Sequence, residues 1–208
     1  YLASVHGFTH RLIPVDESGI IDLRAAKDLI GDQVALVSVM SVNNEVGTIQ
    51  PIKELSELAH AAGALMHTDA VQAAGWMDLA ELANHVDLLS LSGHKIGALK
   101  GSGVLYASNQ CTILPLLHGG GQQGGLRSGT ENPAAAVGVA RALQLCTEQR
   151  QAGTGDSYGP YLIDRISKEL EAVAPGLVKV TGHREERIGG IVSFVFPRTA
   201  GETVLIEL

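Results

Sequence analysis

The sequence predicts an α/β fold with a parallel sheet, and three observations support it. Three short apolar runs rich in β-branched residues recur at Val34–Met40, Ala64–Thr68 and Val86–Leu91. Each is of strand length, and the first is nearly continuous in apolar character, as a strand covered on both faces would be. Between the first two lies a stretch from Pro51 to Ala62 in which Ile52, Leu55, Leu58, Ala59 and Ala62 mark one helical face. Pro51 stands at its first turn and Gly63 just past its end, the usual placement of those residues. Strand, helix and strand at this spacing form a right-handed βαβ unit.

The later elements follow in order. Gly103–Ala107 reads as another short strand. The glycine-rich stretch 118–132 is too flexible for a core element and long enough for a functional loop. Asn132 followed by Pro133 starts a helix expected to run to about Gln149. The stretch Gly153–Asp156 breaks the composition, so a domain boundary is expected there, with residues 1–152 in a large domain and 153–208 opening a smaller one. Beyond it an amphipathic helix presents Leu162, Ile166, Leu170 and Val173, and strands are expected near Leu177–Val180 and Ile191–Phe196.

Composition narrows the function. Of the 208 residues 45% are hydrophobic and 18% charged, which suits a packed core and not a disordered tail. A formal net charge of −7 argues against nucleic acid, whose binding needs a basic surface. No apolar run approaches the ~18 residues of a membrane span. Cys111 and Cys146 show no zinc-site spacing, and a cytoplasmic setting is the plain expectation. The start at Tyr1 and the uncapped apolar pattern of Gly201–Leu208 read as cuts, so a fragment is expected.

Polar residues follow directly after each of the first three strands: Asn43, Asn44 and Glu45; Asp69 and Gln72; and Ser92, Gly93, His94 and Lys95. Ligands of open α/β sheets bind beyond the carboxyl ends of the strands, so these groups should converge on one pocket. A lone lysine is ordinarily a solvated surface charge. Lys95, however, leaves a buried strand through a tight tetrapeptide and is expected in a partly desolvated pocket. Desolvation favours the neutral amine, the form that attacks an aldehyde. Asp69 alone could be a helix cap. Beside Lys95 it could instead keep the ring nitrogen of a pyridoxal cofactor protonated. Gln72 and Asn44 could bond the ring oxygen, although turn chemistry explains either amide equally well. Ser92 and His94 offer donors to a phosphate beside Gly93, which lets the backbone approach closely.

These motifs together closely resemble the cysteine desulfurases of the NifS/IscS-like class. The resemblance rests on Val42–Gly47, on Asp69–Gln72, on Ser92–Lys95 after an apolar strand, and on the stretch from His118 to Asn132. It runs from about Gly19 to the C-terminus. It implies the aminotransferase-like fold type I architecture, with a large, mostly parallel sheet domain followed by a smaller α/β domain. It also implies pyridoxal 5'-phosphate as cofactor and removal of sulfur from L-cysteine to give L-alanine and an enzyme persulfide. Lys95 would link to the cofactor's aldehyde and later shuttle a proton, Asp69 would hold the pyridinium, and Gln72 and Asn44 would bond the ring oxygen side. Ser92, His94 and the Gly93 backbone would hold the phosphate. Thr130 would reach the phosphate of the other subunit of a homodimer. An iron–sulfur scaffold or sulfur-carrier protein would take the sulfur.

The sequence departs from the family pattern at Val71 (usually threonine), at Ser41 (often histidine) and at Gly97–Leu99 (usually Tyr-Gly-Pro). The nucleophilic cysteine should fall beyond Leu208, and a phosphate-binding threonine and a ring-stacking histidine should precede Tyr1. Neither Cys111 nor Cys146 stands where the nucleophile belongs. The 208 residues alone are therefore expected not to turn over cysteine. The competing reading is another fold type I pyridoxal enzyme, an aminotransferase or a kynureninase-like hydrolase, which fold alone does not separate.

Overall fold

The computed structural model describes residues 5–153, 158–173 and 175–207. A four-stranded sheet organises the first part of the chain, with strands in the order β1-β2-β3-β4. Strands β1 (Leu36–Met40), β2 (Leu65–Asp69) and β3 (Leu88–Ser92) are the three apolar runs, and they pair in parallel. Helix α1 (Leu23–Leu29), which the sequence pattern did not predict, precedes β1 and is capped by the Asp22 carboxylate. Helix α2 (Ile52–Ala61) crosses from β1 to β2, and Gly63 just beyond its end adopts φ +77°, a conformation that favours glycine.

The faces of the sheet differ because side chains alternate along each strand. Val37, Met66 and Leu89 point to one face and are buried in a core with Ile52, Leu55 and Ala59 of α2. Leu36, Leu65, Ser38, His67 and Ser90 stand on the other face, where Leu36 and Leu65 are exposed. A polar clasp ties α2 to the sheet. The Asp87 carboxylate accepts from the Met66 amide at 2.7 Å and lies 2.8 Å from His60 Nε2. Ser56 Oγ donates to the His85 carbonyl and lies 3.3 Å from His60 Nδ1. Burial pushes the Asp87 carboxyl up, but these hydrogen bonds outweigh it and hold it below its ordinary value.

A short helix α3 (Leu79–Ala83), also absent from the sequence reading, leads into β3. Strand β4 (Gly103–Ala107) then returns antiparallel to β3, with Ser92 opposite Gly103. The sequence pattern marked β4 as a strand without its direction. The reversal is made by the short return 93–102, in which Gly97 and Gly101 both take φ +81°. The glycine-rich loop closes on itself, with Ser128 Oγ donating to the Gly120 carbonyl at 2.9 Å and the Ser128 amide to Leu117.

Helix α4 (Pro133–Gln151) begins as expected, with Asn132 Oδ1 accepting from the Ala135 amide at 3.0 Å. Its far end is fixed by Arg150, which donates to the Met77 carbonyl and lies 3.0 Å from the Asp78 carboxylate at the start of α3. Most of the composition break at 153–156 lies outside the described residues. Helix α5 (Tyr158–Val173) half-buries Leu162, Ile166 and Leu170, but Val173 at its last turn is 78% exposed. Strands β5 (Lys179–Val180) and β6 (Phe194–Val195) form a separate antiparallel pair, and helix α6 (Gly201–Glu207) follows. No helix among the described residues is long and apolar enough to cross a membrane.

Candidate active site

Parallel pairing in register brings the predicted groups to one edge of the sheet. Met40 is level with Asp69, and Asp69 with Ser90, so β1 and β2 end together and β3 runs two residues further, to Ser92. The Ser41 amide donates to the Asp69 carbonyl at 2.9 Å, and the Ala70 amide to the Ser90 carbonyl at 3.0 Å, extending this alignment one residue past β1 and β2. Ser41 is fully buried, and its hydroxyl also donates to the Asp69 carbonyl at 3.2 Å.

Asp69 is half-buried at the tip of β2. Its Oδ1 accepts from the Val71 amide at 3.0 Å, and its second oxygen has no partner among the described residues. A fixed carboxylate with one open oxygen at a strand end is the acceptor a protonated ring nitrogen requires. Gln72 is half-buried and Asn44 exposed, neither with a hydrogen-bond partner among the described residues. The turn chemistry belongs instead to Asn43, whose side-chain oxygen accepts from the Glu45 and Val46 amides at 2.8 and 2.9 Å. Asn43 shapes the turn and leaves Asn44 available.

Two expectations about the tetrapeptide change. Gly93 does not offer its amide to a ligand, because that N–H donates to the Ser102 carbonyl at 2.9 Å. Its small size serves packing: a Cβ there would collide with Ser102 Oγ and press on Val139 of α4 at 3.1 Å. Lys95 is not in a partly desolvated pocket; it and His94 are exposed, since the 3₁₀ turn Gly93–Ile96 buries Gly93 against α4 and leaves these two side chains on its outer side. Ser92 Oγ lies 2.8 Å from His94 Nδ1, which orients the imidazole. Thr130 is exposed in the glycine-rich loop.

Two clefts of the chain lie away from the strand ends. One, of about 430 Å³, opens between the starts of α2 and α3 beside Ile52, Glu54, Asp78 and His85. Another, of about 480 Å³, lies between Ser18 and His183. None of the candidate residues lines either.

Sequence reasoning passed over two contributors. His67, on the same face of β2 as Asp69, lies 2.8 Å through Nδ1 from Ser38 Oγ on β1 and 2.9 Å through Nε2 from Ser90 Oγ on β3. Burial lowers its pKa below the ordinary histidine value, against an opposing pull from Asp69. The two-residue spacing from Asp69 was the available signal. Arg187 donates to the carbonyls of Thr181 at 3.1 Å, Val46 at 3.3 Å and Ile191 at 2.8 Å. With the Ile188 amide bonded to the Gly47 carbonyl and the Ile49 amide to that of Glu186, it pins the turn carrying Asn44. These partners lie up to 141 positions away in the chain, and no local pattern announces them.

Three parallel strands of an α/β sheet thus carry polar groups at their carboxyl ends, where ligands of such sheets bind. The aminotransferase class-V family matches residues 1–208, and the chain belongs to that family, whose members are pyridoxal phosphate enzymes. Within it the similarity is to cysteine desulfurases. The chain is 41% identical to cysteine desulfurase IscS of Clostridium botulinum over 204 residues, 97% of the chain and 51% of that protein. It is 40% identical to cysteine desulfurase NifS of Azotobacter vinelandii over 212 residues, 100% of the chain and 51% of that protein. Among solved structures, a NifS-like protein superposes with a TM-score of 0.86 at 34% identity, over 97% of this chain and 54% of that one. The apo cysteine desulfurase of Thermococcus onnurineus superposes at 0.84 and 29% identity, over 98% and 54%. The chain thus spans about half the length of these relatives.

Proposed function

We propose that the protein carrying this chain is a pyridoxal phosphate-dependent cysteine desulfurase that takes sulfur from L-cysteine and releases L-alanine. The observation that carries this reading is the register of β1, β2 and β3, which sets Asp69 beside the turn of Asn44 and the tetrapeptide of Lys95. When bound, pyridoxal phosphate supplies an electron sink for the substrate α-carbon. The chain's residues hold and orient: Asp69 keeps a proton on the ring nitrogen, Asn44 and Gln72 face the ring oxygen, and Ser92 with His94 donates to the phosphate. Gly93 belongs to this set through packing alone. Lys95 provides the amine that holds the aldehyde covalently and then moves a proton at the substrate α-carbon.

The sulfur acceptor in this reading is a thiolate other than Cys111 or Cys146, which are half-buried, one after β4 and one within α4. The 208 residues alone do not turn over cysteine in this reading, consistent with the exposure of Lys95. It includes a cytoplasmic homodimer in which Thr130 reaches the partner subunit's phosphate, and sulfur delivery to an iron–sulfur scaffold or carrier. It also keeps a domain boundary near Gly153, supported by the separate β5–β6 sheet.

The test is borohydride trapping of added pyridoxal phosphate on the full-length protein, followed by peptide mapping and an assay for alanine from cysteine. A label on Lys95 with alanine released is the expected result. A label elsewhere, or alanine absent with Lys95 labelled, sinks the reading, the latter pointing to another enzyme of the same fold.

A further inference from the structure

The Ser38–His67–Ser90 bridge crosses three strands, one residue pair below the edge where Asp69 stands. In the ladder Ser38 is directly opposite His67, while Ser90 is level with Asp69. The ring of His67 therefore reaches sideways to β1 and obliquely forward to β3, spanning both of β2's neighbours on the face that carries Asp69. A neutral imidazole has one donor and one acceptor nitrogen, and a serine hydroxyl serves either role, so around a neutral ring one serine accepts and the other donates. A protonated ring would donate from both nitrogens. The serine that had donated would have to turn its hydrogen away, and a positive charge would stand two residues from Asp69, about 7 Å along the strand.

We propose that His67 is a positioning residue for Asp69: held neutral between Ser38 and Ser90, it fixes the carboxylate laterally and keeps competing positive charge away from the cation that the carboxylate holds. The proposal rests on the pyridoxal reading above. The surroundings fit a neutral ring. On β1 the same face carries Leu36 and Met40, and on β3 Leu88 and Ser92, none of them charged. Asp69 is the charged group whose field reaches the ring, and burial outweighs it. His94 and Lys95 follow on the turn after β3, and His60 belongs to α2 on the opposite face.

The test measures pyridoxal phosphate affinity of the full-length protein by absorbance between pH 5.5 and 8, beside its His67→Gln, His67→Leu and Ser90→Ala variants. Gln keeps a donor and an acceptor without a titratable charge. At pH 7.5 His67→Gln should bind within about twofold of the parent, and His67→Leu about tenfold more weakly. Towards pH 5.5 the parent should lose about tenfold more affinity than His67→Gln, whose remaining pH dependence reports the cofactor's own groups. Should His67→Leu fail to fold, Ser90→Ala reads the same bridge and should weaken binding at pH 7.5. Equal affinity of parent and all variants across the range overturns the proposal and leaves the pyridoxal reading standing. His67→Gln as weak as His67→Leu also overturns it. A parent that binds no pyridoxal phosphate overturns both.

Discussion

Asp69 and Gly93 show how differently residues of one candidate site act. Asp69 offers charge, and its open oxygen is where a ring cation would sit. Replacement by Asn keeps the shape and the Val71 hydrogen bond but removes the charge. Asp69→Asn is therefore expected to weaken pyridoxal phosphate binding at least ~10-fold, or about 1.4 kcal/mol, in an absorbance titration, with unchanged unfolding. Gly93 offers absence of bulk, because Ser102 and Val139 occupy the space a Cβ would need. Gly93→Ala should destabilise the fold by about 1–3 kcal/mol in urea unfolding, the usual cost of overpacking. The places of Asp69, Ser92 and Lys95 at and after the ends of apolar strands were legible in the sequence, because strand length and apolar character are local. The occupied amide of Gly93 was not, since its partner Ser102 comes from the return into β4.

Elements are held at their ends, and those ends differ in how local they are. Asn132 caps α4 through a bond three residues away, a pattern visible in sequence. Asn132→Ala should cost about 1 kcal/mol in thermal or urea unfolding. The turn bearing Asn44 is held from outside by Arg187, which burial makes less basic than an ordinary guanidinium and which donates to three backbone carbonyls. Arg187→Met should leave those carbonyls unpaired and destabilise the protein by about 1–3 kcal/mol. It should also weaken pyridoxal phosphate binding, by loosening the turn. An unfolding curve alongside a binding titration separates the two effects.

The clasp between α2 and the sheet contributes to the stability of the molecule in acid. Asp87 is held below its ordinary carboxylate value in the folded chain, so the unfolded state binds its proton at higher pH. Its contribution is fully present above the unfolded value near ~3.9 and is lost as pH falls through the lower folded value. Asp87→Asn should flatten that acid limb in urea midpoints measured from pH 3 to 6. An acid limb as steep as the parent's would show that other carboxylates set it.

At this largest scale the division between sequence and tertiary structure has a physical basis. The sequence by itself determined the strand–helix–strand order, the start of α4 and the polar groups at strand ends, because periodicity, capping and turn chemistry act over a few residues. The short helices α1 and α3 escaped it, since seven and five residues carry too little periodicity to read. Only the tertiary structure decided the direction of β4, the register of the three parallel strands, the His67 bridge and the hold of Arg187 on the Asn44 turn. Those depend on which distant backbone and side-chain groups meet once the apolar faces have packed, and hydrogen bonds between residues far apart in the chain leave no local trace.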